Sequence, residues 1–291
     1  MIQEREFLKG HRIGGEQPFF LMAGPCVIEG RDMLARICEQ MLEVTNELGI
    51  LYIFKSSFDK ANRSSSDSRR GPGIDEGLAD LRYIKETFDV PLVTDLHETA
   101  QVQAVADVVD VLQIPAFLCR QTDLVNACAA TGRWVNVKKG QFLAPSDAGS
   151  IVDKIQAQGS EKYLITERGT SFGYNNLVFD PRSNEILHSM NIPVVMDGTH
   201  STQLPGGGKT SGGNRQYVPL LTRTAVAAGI EGLFMEVHPK PEEAWSDASN
   251  QYWLDQAPEL LRKLYRLDRF VKSEVLPAAA ATLAQKPAAE S

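Results

Sequence analysis

Cys26, His200, Glu236 and Asp247 offer one sulfur, one imidazole nitrogen and two carboxylates, a mixture that suits Zn, Fe, Mn or Co better than Mg or Ca. They lie far apart in the chain, and the first three each stand at or just past the end of an apolar, β-like run. Side chains from several strand ends form one site only when the strands are parallel and ringed. That geometry belongs to a barrel of alternating strands and helices, whose active site is built at the carboxyl ends of the strands. Taken singly, Cys26 reads as a small core hydrophobe and His200 as a structural histidine, so the functional reading rests on the set. Asp247, in Trp245-Ser-Asp-Ala-Ser, is a candidate fourth ligand that spacing by itself leaves open.

The elements that must position these residues are legible as apolar runs at 19–27, 51–54, 91–95, 111–114, 134–137, 163–166, 193–196 and 232–237. Such runs predict buried parallel strands. Helix-like stretches at 33–48, 77–88, 99–106, 124–130, 146–156 and 220–228 separate most of them, while the gap 169–191 offers only a short helix over 182–190. The alternation predicts an α/β fold, a closed (β/α)8 TIM barrel rather than an open doubly wound sheet. Residues 1–17 have a turn-like Lys-Gly-His-Arg centre and predict a hairpin closing the lower end of the barrel. A C-terminal helix is expected from Asp255 to about Val275. A single domain over 1–276 follows, with an alanine-rich tail, 277–291, expected to be frayed.

With 291 residues, 43% apolar, the chain can bury one large core, and a barrel of roughly 250 residues commonly forms one domain. The net charge of -7 and a pI near 5.4 leave no global basic footprint, so no nucleic-acid partner is expected and anion binding must be local. The N-terminus has no apolar stretch of signal-peptide length, and no segment approaches the roughly 20 apolar residues of a membrane span. A soluble, cytoplasmic protein with no membrane partner is expected. Cys38, Cys119 and Cys128 read as ordinary buried thiols.

The predicted strand ends are unusually polar: Lys55, Asp95 with His97, Gln113, Lys138 with Lys139, Glu167 with Arg168, Asp197 with His200, and Glu236 with His238. A ring of such groups is costly to desolvate unless it faces ligands or water, which points to a catalytic mouth. Lys55, Lys60, Arg63, Arg69, Arg70, Arg120, Lys138 and Arg168 exceed what nearby carboxylates need, with Arg69 and Arg70 reading as solvated surface. In Phe58-Asp-Lys-Ala-Asn-Arg-Ser-Ser the bases alternate with small hydroxyl residues, a pattern suited to phosphate oxygens. At least one phosphorylated substrate is implied. Gly206-Gly-Gly-Lys-Thr fails as a nucleotide-binding loop, because Gln203 stands where that pattern requires glycine. It reads instead as a lid after the seventh strand, with Lys209 or Arg215 available to an anion.

Five segments carry a family resemblance: Gly24-Pro-Cys-Val-Ile-Glu, Phe54-Lys-Ser-Ser-Phe-Asp-Lys-Ala-Asn-Arg-Ser-Ser, Asn136-Val-Lys-Lys-Gly-Gln-Phe, Thr166-Glu-Arg-Gly and Asp197-Gly-Thr-His-Ser. Over about 19–255 the chain resembles the 3-deoxy-D-manno-octulosonate 8-phosphate synthases. These condense phosphoenolpyruvate, arabinose 5-phosphate and water, releasing inorganic phosphate, for lipopolysaccharide biosynthesis. The related heptulosonate phosphate synthases typically carry Lys-Pro-Arg-Thr where this chain has Lys55-Ser-Ser-Phe.

The resemblance implies a divalent metal ion (Mn, Zn, Fe or Co), because metal-dependent members have cysteine at the position of Cys26 and metal-independent members have asparagine. It also makes Asp247 a ligand beside Cys26, His200 and Glu236. Lys60, Lys138 and Arg168 are then expected on the carboxylate and phosphate of phosphoenolpyruvate, with Lys55 and Gln113 supporting them. Asn62, Arg63 and Ser64 resemble the pentose phosphate site. A homotetramer is implied, in which Arg120 is similar to a residue reaching a substrate phosphate in its own or a neighbouring subunit. For catalysis, Lys138 is expected to donate to the reacting enol, Asp247 to accept a proton from water, and His200 to help hold the metal. The same residues also admit a Schiff-base aldolase with Lys138 as nucleophile, or a phosphosugar-binding or metal-sensing barrel without catalysis.

Overall fold

Strands buried on both faces must be apolar nearly throughout, and the runs that meet this requirement form the wall of a closed ring in the computed structural model. The structure describes residues 1–62, 69–206 and 212–276. The barrel strands are β1 (Phe20–Gly24), β2 (Tyr52–Lys55), β3 (Leu92–Asp95), β4 (Val111–Ile114), β5 (Trp134–Lys138), β6 (Tyr163–Glu167), β7 (Val194–Asp197) and β8 (Gly232–His238). Each pairs in parallel with the next, and β8 pairs back with β1 through Leu233↔Leu21 and Glu236↔Gly24. Around them run α1 (Arg31–Leu48), α2 (Ile74–Phe88), α3 (Val102–Ala106), α4 (Thr122–Ala130), α5 (Gly149–Gln156), α6 (Arg182–Ser189), α7 (Val218–Ala228) and α8 (Ala257–Phe270). The expected (β/α)8 barrel is the observed one.

Alternation along each strand separates two cores. Leu21, Phe54, Leu92, Leu112, Val135, Ile165, Val194 and Leu233 face the helices. Phe20, Met22, Ile53, Val93, Val111, Trp134, Leu164, Val195 and Phe234 fill the interior. Two residues further along, the inward positions turn polar: Ile53 gives way to Lys55, Val93 to Asp95, Val111 to Gln113, Val195 to Asp197 and Phe234 to Glu236, all buried. The strand period thus places these five strand-end polar groups on the axis at one end of the barrel.

The other end is closed as expected. Arg5–Glu6 pairs antiparallel with Arg12–Ile13, and the Phe7 ring between them lies 4.8 Å from that of Phe20 and 4.6 Å from Trp134. Gap six holds a small hairpin, Thr170–Ser171 with Leu177–Val178, before the short α6. At the C-terminus α8 continues into a π-helical turn, Val271–Val275. The tail 277–291 lies outside the described residues. No helix among the described residues is long and apolar enough to cross a membrane.

Gly24 serves the wall rather than a ligand. A Cβ there would come within 1.9 Å of the Lys55 carbonyl oxygen, so glycine permits the approach of β1 to β2 at the rim.

A buried acidic group at the lower end makes a stability prediction. Glu231 Oε2 accepts the Val194 N–H at 2.7 Å and stands 3.0 Å from His188 Nε2. Burial alone would raise its pKa; His188, Lys272 and the Val194 N–H outweigh burial and hold it below the ordinary value of 4.5. A depressed carboxylate contributes stability that is present above its unfolded pKa and is lost as pH falls through the folded one. Glu231→Gln is therefore expected to cost about 3–5 kcal/mol near neutral pH, the usual loss on breaking a buried pair. The difference from wild type should shrink below about pH 4.5 in urea titrations. A difference independent of pH from 3 to 7 would contradict the assignment.

Candidate active site

Cys26, His200, Glu236 and Asp247 converge at the carboxyl end of the barrel. Ligating atoms of Cys26, Glu236 and Asp247 all lie within 4.8 Å of one another. Cys26 Sγ is 3.5 Å from Asp247 Oδ2; His200 Nε2 is 3.3 Å from that oxygen and 3.5 Å from Glu236 Oε2. Each arrives by a different route. Glu236 points inward from β8, Cys26 follows Pro25 where the chain leaves β1, and His200 begins a 3-10 turn, His200–Thr202, after β7. Asp247 adopts a left-handed conformation, φ 48°, in the loop after β8, and its carbonyl accepts the N–H groups of Asn250 and Gln251.

This donor set fits a divalent metal on structural grounds. Glu236 Oε2 is buried with no hydrogen-bond partner among the described residues, a costly state that a cation would relieve. His200 Nδ1 contacts Asp197 Oδ2 at 2.7 Å, which leaves Nε2 to face the other three donors, the usual carboxylate–histidine support of a metal site. Gln251 links two ligand-bearing loops, accepting the Cys26 N–H at 3.2 Å and donating to the Ser246 carbonyl at 2.8 Å. Burial, then Glu236 and Asp247, push the Cys26 thiol well above its ordinary pKa, so the thiolate that binds metal needs a nearby cation to persist. Burial works against Glu236 too, but Lys55, His200 and Lys60 bring it down to about 2, and Asp247 is likewise held low by His200 and Lys60.

Cations surround this cluster. Lys55 Nζ, 1% exposed, donates to Glu236 Oε1 at 2.9 Å, the Cys26 carbonyl at 3.2 Å and Ser57 Oγ at 3.2 Å. Lys55 is thus the counter-charge of a metal-ligand candidate. Lys60 Nζ lies 3.7 Å from the same Glu236 oxygen. Lys138 Nζ pairs with Asp197 Oδ2 at 2.8 Å, stands 3.3 Å from His200 Nδ1 and sits 3.8 Å above the Phe234 ring. Burial, reinforced by Lys55 and opposed by Asp197, draws Lys138 below the usual lysine range. Arg168 Nη2 donates to Gln203 Oε1 at 2.6 Å, while its Nη1 is buried without a hydrogen-bond partner among the described residues. A cavity of about 520 Å³ opens above, lined by Lys55, Lys60, Asn62, Gln113, Lys138, Arg168, His200 and Asp247 among others.

Some expected residues are placed elsewhere. Lys139 and Glu167 point away from the axis and face each other at 3.6 Å behind the wall, because the pleat turns alternate side chains outward. Arg120 is exposed and does not line this chain's cavity. Arg215 does not face an anion site: it donates to the Ala248 carbonyl and lies 4.7 Å over the Trp253 ring, bracing the loop of Asp247. Arg63, Ser64 and Lys209 lie outside the described residues. Conversely, Arg69 is not merely solvated surface, since it lines the cavity and lies 4.4 Å over the Trp245 ring. Asp95 and His97 also face the cavity, with His97 Nε2 3.4 Å from Asp95 Oδ2; their polar strand-end position was the available signal.

A closed parallel barrel whose mouth gathers candidate metal donors and buried cations has the form of a barrel enzyme with a site suited to anions. The chain belongs to the DAHP synthetase I family, whose model matches residues 2–273. Within it, a 2-dehydro-3-deoxyphosphooctonate aldolase of Acidithiobacillus ferrooxidans is 54% identical over 93% of this chain and 96% of its own length. Proteins of the same name from Geobacter sp. and Francisella tularensis are 55% and 54% identical, each over 90% of this chain and 96% of their own.

Proposed function

We propose that this chain condenses phosphoenolpyruvate, arabinose 5-phosphate and water to 3-deoxy-D-manno-octulosonate 8-phosphate and inorganic phosphate, in the cytoplasm, for lipopolysaccharide biosynthesis. The observation that carries this reading is the meeting of four metal donors with Lys60, Lys138 and Arg168 at one barrel mouth, in a chain whose relatives bear that aldolase name.

Two anions must be held side by side, and the buried cations offset their repulsion while fixing their orientation. Lys60, Lys138 and Arg168 take the carboxylate and phosphate of phosphoenolpyruvate, with Lys55 and Gln113 supporting the wall. Asn62, Arg63 and Ser64 take the pentose phosphate. A divalent metal held by Cys26, His200, Glu236 and Asp247 would supply Lewis-acid chemistry, polarising a carbonyl or acidifying a water. The third carbon of phosphoenolpyruvate attacks the aldehyde, water adds at the second carbon, and the hemiketal phosphate expels phosphate. Lys138 donates a hydrogen bond to the reacting enol from its perch on Phe234. Asp247, ionised, accepts a hydrogen bond from the attacking water, and its low pKa favours passing the proton onward over keeping it.

The homotetramer belongs to the same reading. Phe117, Phe142, Phe172 and Tyr174 are exposed apolar side chains on the successive loops after β4, β5 and β6, of a kind suited to contact with another copy of the chain, and Arg120 stands on the first of these loops. The first test is phosphate release from phosphoenolpyruvate with arabinose 5-phosphate or erythrose 4-phosphate. Product is expected with the pentose; preference for the tetrose would move the chain to heptulosonate synthesis. Silence with both sugars would leave a binding protein.

A further inference from the structure

Arg69 and Trp245 meet across the mouth from opposite ends of the chain. Arg69 stands on the loop after β2, Trp245 on the loop after β8, and both line the cavity that holds Lys60 and Asn62. The guanidinium carbon lies 4.4 Å from the indole centroid. Both partners have fixed bases. The Lys60 N–H donates to the Arg70 carbonyl at 2.8 Å, and Arg70 grips Asp59 through Nε to Oδ1 at 2.8 Å and Nη2 to Oδ2 at 2.5 Å. The Trp245 backbone N–H donates to Glu29 Oε1 at 3.0 Å, from the loop after β1.

We propose that Arg69, held over the Trp245 ring, is a further substrate-binding residue that receives the phosphate of the five-carbon sugar at the rim of the cavity. The assignment rests on the condensation reading above. Phosphoenolpyruvate carries its phosphate and carboxylate on the second carbon, next to the one that attacks, so its cations must lie deep, as the buried Lys138 and Arg168 do. The pentose carries its phosphate at the opposite end of the chain from the aldehyde. With the aldehyde directed at the metal donors, that phosphate falls towards the rim, where Arg69 is exposed on the loop of Lys60 and Asn62. A guanidinium held against an indole face still offers a fork of N–H donors that suits phosphate oxygens, and the contact lowers the rotamer entropy lost on binding.

Initial rates of wild type, Arg69→Ala, Arg69→Lys, Trp245→Ala and Trp245→Phe test this. Arg69→Ala is expected to raise the KM for arabinose 5-phosphate about tenfold, the size of one charge-assisted hydrogen bond, while the KM for phosphoenolpyruvate moves less than about twofold. Arg69→Lys and Trp245→Ala should fall between, and Trp245→Phe, which keeps a ring face, should stay near wild type. The preference for arabinose 5-phosphate over unphosphorylated arabinose should drop about tenfold in Arg69→Ala. An unchanged KM for arabinose 5-phosphate overturns the proposal, as does an equal loss with both substrates. A wild type that condenses neither substrate pair removes the functional reading itself, and that is seen before any variant is compared.

Discussion

Cys26→Ser protein is expected to bind far less divalent metal than wild type and to release phosphate on the order of 10² times more slowly. Serine nearly keeps the volume of cysteine but replaces a soft donor that a bound cation can hold as thiolate with a hard hydroxyl that is far less acidic. The remaining set, His200, Glu236 and Asp247, still offers three ligand atoms within reach of one another. Metal should therefore bind weakly rather than not at all, and excess Mn, Co or Zn should restore part of the rate. Metal content by mass spectrometry and phosphate release, measured on the same preparations before and after chelation, provide the test. Circular dichroism separates loss of metal from loss of fold. Full activity in verified metal-free wild type would sink the metal-dependent mechanism.

Lys138→Met is expected to lower kcat by about 10²–10⁴, the range for a positioned proton or hydrogen-bond donor. Methionine keeps an unbranched stem and removes the ammonium that lies over Phe234 and faces Asp197 at 2.8 Å. Because Asp197 still receives the His200 and Thr199 N–H groups through Oδ1, His200 should stay oriented and metal content should stay near wild type. That separates this variant from Cys26→Ser. Lys138→Arg restores charge but not its position, and should recover only part of kcat. Borohydride decides the Schiff-base alternative: covalent trapping of substrate on Lys138, insensitive to chelator, would replace the proposed chemistry with that of a lysine aldolase.

Much of this architecture was legible in the order of residues. The apolar runs predicted all eight barrel strands, and the run 111–114 coincides with β4. The first run overshoots, because Pro25 and Cys26 leave the sheet while the sequence stays apolar and only Val27 returns to bridge Ser57. Hydrophobicity reports burial, and the buried loop carrying Cys26 looks the same as a strand. Cys26, His200 and Glu236 could be recognised because their types are selective and their places at strand ends are local facts.

Direction and long-range company were not legible. Lys138 and Lys139 are equivalent as letters; the pleat sends Lys138 to the axis and Lys139 behind the wall to Glu167. Arg69 looked like solvent-facing charge until Trp245 was brought over it, and Arg215 looked like an anion binder until Trp253 and the Ala248 carbonyl claimed it. The sequence by itself determined the ring of strands and singled out Cys26, His200 and Glu236 as candidate metal donors, since both follow from side-chain chemistry and short periods. Only the tertiary structure decided which cations face the cavity, because barrel closure brings distant loops together and their contacts set where each long, flexible side chain points.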